Sequence, residues 1–351
     1  MRDGNELLRT IALGLVVGAL CGSIAAAQEQ PPITRIAFGS CAHQAKPQPI
    51  WDAVLDYRPE LFIFAGDNVY GDVTSGAMTE LQAAYAEAAT IKGYASVRRA
   101  APVLATWDDH DFGANDGGAD FPHKEASKRL FLEFWAIPDG DPRRTRDGIY
   151  HAETFGPEGM RVQVVLLDTR TFRSPLQTAE QPGAPGKGPY APDPDPAKTV
   201  LGPAQWSWLR AQLIQPAELR LIVSSVQVLA GEHGWERWGN LPAERAKLFD
   251  LIAETGAAGV IFLSGDRHVG ALYRRAGAPY DLYEITSSGI NMTFAANRDE
   301  GPRRLGAVYG AENFGTIDID WWAGEVRLAV RSMNGEAVRR VMVPLAALKP
   351  R

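Results

Sequence analysis

The chain has 351 residues, of which 45% are apolar and 22% charged, with a net charge of -6. That supplies a sizeable core for one large domain or two small ones. Basic residues cluster no further than pairs such as Arg143-Arg144 and Arg303-Arg304, which excludes general electrostatic binding to nucleic acid or anionic membrane.

The N-terminus reads as a leader. Arg2 and Arg9 flank the start, residues 11–20 form an apolar run, and three alanines at 25–27 offer a cleavage site before Gln28. The run is too short to span a bilayer comfortably. A signal peptide over residues 1–27 is therefore expected, with one domain over 32–351. The mature chain is expected in the periplasm or outside the cell, with no transmembrane segment. Cleavage would remove Cys21 and leave Cys41 alone. A lone cysteine in an oxidising compartment is buried and inert, paired with another chain, nucleophilic, or bound to metal.

Short continuous apolar runs then recur, each ending in a polar residue. "RIAFGS" leads to Cys41, "LFIFAG" to Asp67, "APVLATW" to Asp108, "VQVVLL" to Asp168 and "GVIFLSG" to Asp266. Runs of this kind suit strands covered on both faces. Helical patterns lie between them. Thr79 to Gln82 fits a capping box. "KEASKRLFLEFW" puts Leu130, Phe131, Phe134 and Trp135 on one stripe. "GPAQWSWLRAQL" and "LPAERAKLFDLIAE" each carry a proline near the start. Alternating strands and helices predict an α/β domain. Residues 180–196, rich in Pro and Gly, predict a long exposed loop, either a lid or a simple excursion. The tail, from "NFGTIDIDWW" to "AVRRVMVPL", predicts antiparallel strands with Asn334-Gly335 at a hairpin turn.

In α/β sheets ligands bind outside the carboxyl ends of strands, so these terminal polar residues are candidates to converge. In "AGDNVYGD", Asp67 follows a strand and Tyr70 returns to the same point if the turn opens a helix. Carboxylate and phenolate are hard oxygen ligands suited to a ferric ion, and Asp alone suits Ca²⁺ or Mn²⁺ equally. "TWDDHDFGAND" crowds Asp108, Asp109, His110, Asp111, Asn115 and Asp116 together, which requires nearby cations. One of Asp108 and Asp109 faces the site and the other away. His110 is the candidate general acid or phosphate-orienting group. "SGDRH" places Asp266 and His268 two apart as a ligand pair, with Arg267 aimed elsewhere. In "LLDTRTF", Arg170 is a candidate phosphate contact, or with Asp168 a buried brace. The chain lacks a G-x-S-x-G elbow, a phosphate-binding P-loop and H-E-x-x-H. Two acidic motifs, a tyrosine, a histidine pair and a thiolate point instead to two or more metals clamping a phosphoryl group.

From "FGSC" through "AGDNVYGD", "TWDDHDFGAND", "LLDTRTF" and "SGDRH" to "SSGIN", the sequence resembles the alkaline phosphatase D (PhoD-like) family of metallophosphoesterases. The resemblance runs from about residue 34 to the C-terminus. It implies a four-layer α/β/β/α sandwich of two mixed sheets flanked by helices. Larger members carry an N-terminal β domain, which this chain is expected to lack. The resemblance further implies Fe³⁺ held by Cys41, Asp67 and Tyr70, completed by Asp266 or His268. It implies Ca²⁺ held by Asn115 and one of Asp108 and Asp109, with Asp67 bridging. In "CAH", His43 is either a further ligand or a bystander. The implied activity is hydrolysis of small phosphoesters, with metal-bound hydroxide attacking phosphorus in line. The alternatives are a phosphotriesterase, a lipid or nucleotide phosphodiesterase, and a non-catalytic metal-binding protein.

Overall fold

The computed structural model describes residues 31–182, 188–231, 233–297 and 301–350; the leader of residues 1–27 lies outside them. β1 (Arg35–Gly39), α1 (Ile50–Tyr57), β2 (Leu61–Ala65), α2 (Thr79–Thr90), α3 (Lys92–Ala100) and β3 (Val103–Thr106) come first. α4 (Asp109–Phe112), α5 (Lys124–Phe134), β4 (His151–Phe155) and β5 (Val162–Leu166) follow. A minimal ladder of β6 (Gln177–Thr178) and β7 (Tyr190–Ala191) precedes α6 (Gly202–Leu213), β8 (Leu219–Ser224), α7 (Pro242–Glu254) and β9 (Val260–Ser264). β10 (Gly270–Arg275), β11 (Leu282–Ser287), β12 (Asn313–Asp320), β13 (Glu325–Ser332) and β14 (Ala337–Pro344) complete the chain.

Two six-stranded mixed sheets result, ordered β14-β13-β12-β1-β2-β3 and β10-β11-β9-β8-β5-β4. β1, β2 and β3 run parallel, while β12 joins β1 antiparallel, pairing Ile36 with Ile317. β5, β8, β9 and β11 run parallel in the second sheet. Period-two alternation sorts the first sheet's side chains between its faces. Ile36, Phe38, Ile63 and Ala65 enter one core with Val164, Leu221, Ile261 and Ile285 of the facing sheet. Ala37, Phe62 and Phe64 enter another with Trp51, Val54, Tyr94 and Val97 of α1 and α3. Every residue of β5, β8 and β9 is buried, which requires cover on both faces. Trp206 and Leu209 of α6 and Leu248 and Ile252 of α7 supply it. The layers are therefore helix, sheet, sheet, helix, as the resemblance implied.

The capping box expected over Thr79 to Gln82 does not form. Met78 takes the cap in a left-handed conformation because its side chain, 2% exposed, is drawn into a small core with Leu81 and Tyr85. Among the described residues, no helix is long and apolar enough to cross a membrane.

Candidate metal centre

Cys41, Asp67, Asp108 and Asp266 each lie two residues beyond the end of a strand, after β1, β2, β3 and β9. The sheets are stitched together at these ends. Thr106 Oγ1 donates to the Leu167 carbonyl at 2.7 Å, and Ser40 Oγ to that of Ser287 at 3.3 Å. Gly66, with φ of 104°, makes the approach possible, because a Cβ there would stand 3.0 Å from that of Ser225, just beyond β8 of the second sheet. Cys41, Asp67, Asp116, Asp266 and His268 all have positive φ, between 49° and 66°. Each such non-glycine residue is strained by about 1–3 kcal/mol, and strain of this kind clusters at functional sites.

Side chains close the arrangement. The Cys41 thiol and the Tyr70 hydroxyl both donate to Asp67 Oδ2, each at 3.3 Å. Asp67 Oδ1 accepts from the His110 amide. Ser288 Oγ lies 3.1 Å from the Cys41 sulfur and accepts the His268 amide at 2.8 Å. His268 Nδ1 donates to the Met292 carbonyl at 3.0 Å, which fixes the tautomer and leaves Nε2 as a free lone pair. Tyr70 is sandwiched, with the His43 ring 4.7 Å away on one side and the His110 ring 4.2 Å away on the other. His110 Nδ1 meets Asp72 Oδ2 at 2.6 Å.

Among the described residues, two groups have ligand atoms within 4.8 Å of one another: Asp67, Asp109 and His110, and Asp109, Asp116 and Glu236. Asp109 belongs to both and Asp108 to neither. Asp108 Oδ1 instead receives Arg170 and Ser225 Oγ. Arg170 is fully buried and bridges Asp108 to Glu236, with Nη1 2.7 Å from Glu236 Oε2. This corrects the reading of Arg170 as a phosphate contact or as the partner of Asp168. Five donors already saturate Asp168: Trp107 Nε1, the amides of Ile149, Arg170 and Thr171, and Thr171 Oγ1. Asn115 is exposed. Asp116 takes the inner place because its amide binds Asp109 Oδ2 at 2.8 Å and turns the loop inward. Tyr190 Oη donates to Asp116 Oδ2 at 2.6 Å.

Burial pushes the Cys41 thiol up to about 12, raises Asp67 and Asp266 well above the usual carboxylate range and raises Asp108 from its ordinary value. Burial also pushes Asp111 and Asp116 up to about 7. Asp109 differs: burial raises it, but Arg170 and His110 outweigh that and hold it at about 2. For His110, burial lowers the value, but Asp67, Asp72 and Asp109 prevail and carry it to about 10. Oδ2 of Asp108 and Oδ2 of Asp266 are buried with no hydrogen-bond partner. Converging buried acids, two orphan oxygens and a protonated thiol are what a cation would satisfy, so the residues present fit a metal centre.

Sequence reasoning missed Asp72, Glu236 and Ser288. Asp72 closes the "AGDNVYGD" motif and was within reach. Ser288 lies within the "SSGIN" motif and was also within reach, whereas Glu236 carries no local signal, since its place depends on chain segments that meet only in the fold.

A two-sheet sandwich with acids, imidazoles and a thiol gathered at its strand ends defines a metallophosphoesterase-like protein. The PhoD-like phosphatase family matches residues 36–303, and the chain belongs to that family. Alkaline phosphatase D of Bacillus subtilis (strain 168) is 23% identical over 247 residues, covering 62% of this chain. The chain spans only 40% of that relative's length. Among solved structures, PhoD aligns with a TM-score of 0.69 at 16% identity, covering 90% of this chain and 69% of its own. Purple acid phosphatase PPD1 from yellow lupin seeds gives 0.58 at 9% identity, covering 90% and 54%. GAP50, described as the anchor in the inner membrane complex of Plasmodium, gives 0.57 at 12% identity, covering 91% and 90%. At these identities the structural likenesses speak to the fold alone.

Proposed function

We propose that this chain is an exported, metal-dependent hydrolase of small phosphoesters. The observation that carries the reading is the grouping of Asp67, Asp109 and His110, with the Cys41 thiol bonded to Asp67 and with the strand-end Asp266 keeping one buried carboxylate oxygen without a hydrogen-bond partner. The fold by itself would not carry it, since one protein of similar fold is described as an anchor.

In this reading Cys41, Asp67 and Tyr70 hold a ferric ion, with Asp266 or the free Nε2 of His268 completing its ligands. Asp109, rather than Asp108, holds a second, softly specified cation such as calcium, shared with Asp67. Bound there, cations supply the positive charge that neutralises phosphoryl oxygens and lets a water ionise near neutral pH. The protein's own contribution is positional. His110 offers Nε2 to the leaving oxygen as proton donor, while Asp72 holds Nδ1 and keeps the ring charged. His43, stacked on Tyr70, fixes the phenol plane rather than binding metal. Export is supported by the leader-like residues 1–27.

The test is elemental analysis and a visible spectrum of protein purified without chelator, with hydrolysis of a mono-, di- and triester panel. Iron with a charge-transfer band that is lost in Cys41→Ala, together with turnover of at least one ester, is expected. Metal without turnover of any ester would sink the hydrolase reading. Full activity in colourless, iron-free protein would sink the iron assignment.

A further inference from the structure

Only three tryptophan or phenylalanine side chains are prominently exposed among the described residues, and two of them border the metal centre. Phe294 is 53% exposed and Trp235 is 47% exposed; the third, Trp322, lies in the turn between β12 and β13. Neither of the two is loose. The Phe294 ring rests on His268, centroids 4.4 Å apart, and its amide donates to the His268 carbonyl at 3.0 Å. Trp235 adjoins Glu236 in sequence, and the guanidinium of Arg267, between Asp266 and His268, stands 5.3 Å from its ring centroid. The Phe294 ring is therefore held against His268, and the Trp235 ring against Arg267 and next in sequence to Glu236, while each remains about half exposed.

Exposed aromatics scattered singly need no explanation, but two fixed ones flanking a polar cluster form an apolar rim around it. Resting on the phosphoester reading above, we infer that Phe294 and Trp235 select substrates whose phosphorus carries an aromatic or similarly large apolar ester group. The phosphoryl end would sit on the acids and imidazoles, and the apolar group would lie against the rings. Aromatic pairs of this sort contribute beyond simple burial, and a rigid ring loses little entropy on contact. A small ester such as a methyl phosphate would bind through the cluster alone.

Phosphonates test this without turnover, because their carbon–phosphorus bond is not cleaved. Metal-loaded protein is titrated calorimetrically with phenylphosphonate and with methylphosphonate. Phenylphosphonate should bind about tenfold more tightly. In Phe294→Ala and Trp235→Ala that preference should shrink to within about threefold. Phe294→Tyr should keep it, which separates ring contact from mere support of His268. Equal affinity for the two ligands in the unaltered protein overturns the rim. So does a loss in Phe294→Ala that is the same for both ligands. Failure of both phosphonates to bind, with no ester hydrolysed, overturns the phosphoester site itself.

Discussion

Replacing Arg170 by methionine tests whether the structure reads this residue correctly. The side chain is fully buried. Its Nε lies 2.7 Å from Asp108 Oδ1, and Nη1 reaches Glu236 at 2.7 and 2.9 Å and the Gly117 carbonyl at 3.3 Å. Removing one member of a buried ion pair destabilises by about 3–5 kcal/mol, because the remaining charge has no water to turn to. Here one carboxylate on each side is stranded, although Arg173 still lies 3.2 Å from Glu236. A loss of about 3–5 kcal/mol is set against a total of about 5–15 for a typical domain, so Arg170→Met should be marginally folded. Urea denaturation at neutral pH measures it, with an unchanged m-value as the check on two-state behaviour. Arg170→Lys should recover part of the loss, since an ammonium keeps the charge but not the fork. A variant within about 1 kcal/mol of the parent would refute the buried brace. A raised KM with stability intact would do so more sharply, by returning Arg170 to the substrate.

Stripping metal should destabilise more at pH 7 than at pH 5. Asp67, Asp108 and Asp266 have raised folded values, and Asp111 and Asp116 stand near 7 against 3.8 unfolded. The folded metal-free chain then binds more protons than the unfolded one, so its stability falls as pH rises across that window. Melting curves with and without chelator check it; equal losses at both pH values would refute it. His233 works in the opposite direction. Its Nε2 donates to Gln227 Oε1 at 2.8 Å and Nδ1 accepts the Trp235 amide, so the ring is buried neutral and its value lies well below 6.5. Stability should fall below about pH 6.5 by up to about 1.4 kcal/mol per unit, and His233→Gln should flatten that limb of the urea midpoint. Asp72→Asn should lower kcat by about 10–100-fold with a smaller change in KM, since it frees the His110 ring without touching substrate. An unchanged kcat would reduce the pair to a surface contact.

The strand-end residues were legible because one-dimensional pattern suffices for them. A buried strand is a short apolar run, and the polar residue just beyond it sits where α/β sheets build sites. That logic found Cys41, Asp67, Asp108 and Asp266 without any knowledge of the pairing. Edge strands were legible only in part: β3 and β14 follow from their apolar runs, whereas β4 does not. β4 reads His-Ala-Glu-Thr-Phe with only part-buried or exposed residues, so no period marks it. α1 begins after Pro49 with no side-chain cap and ends on Arg58 in a left-handed turn, and neither is a stop or start signal. The choice between Asp108 and Asp109 depended on Arg170 and Glu236, which lie 62 and 128 residues beyond Asp108 in the numbering.

The arrangement of these side chains is itself an argument for a cation among them. Five non-glycine residues at the site adopt left-handed backbone, which at about 1–3 kcal/mol each totals roughly 5–15, comparable to a domain's net stability. Packing elsewhere must offset that, and the two large cores on either face of the first sheet are where it resides. Cys41 shows why the strain is kept. As a thiol it donates to Asp67, a carboxyl whose own value is raised by burial and by Cys41 itself. Two neighbouring groups thus hold protons that a single cation would replace, converting both into anionic ligands at once. An inert buried cysteine would need no acid beside it, whereas a thiolate holding metal would share its cation with one.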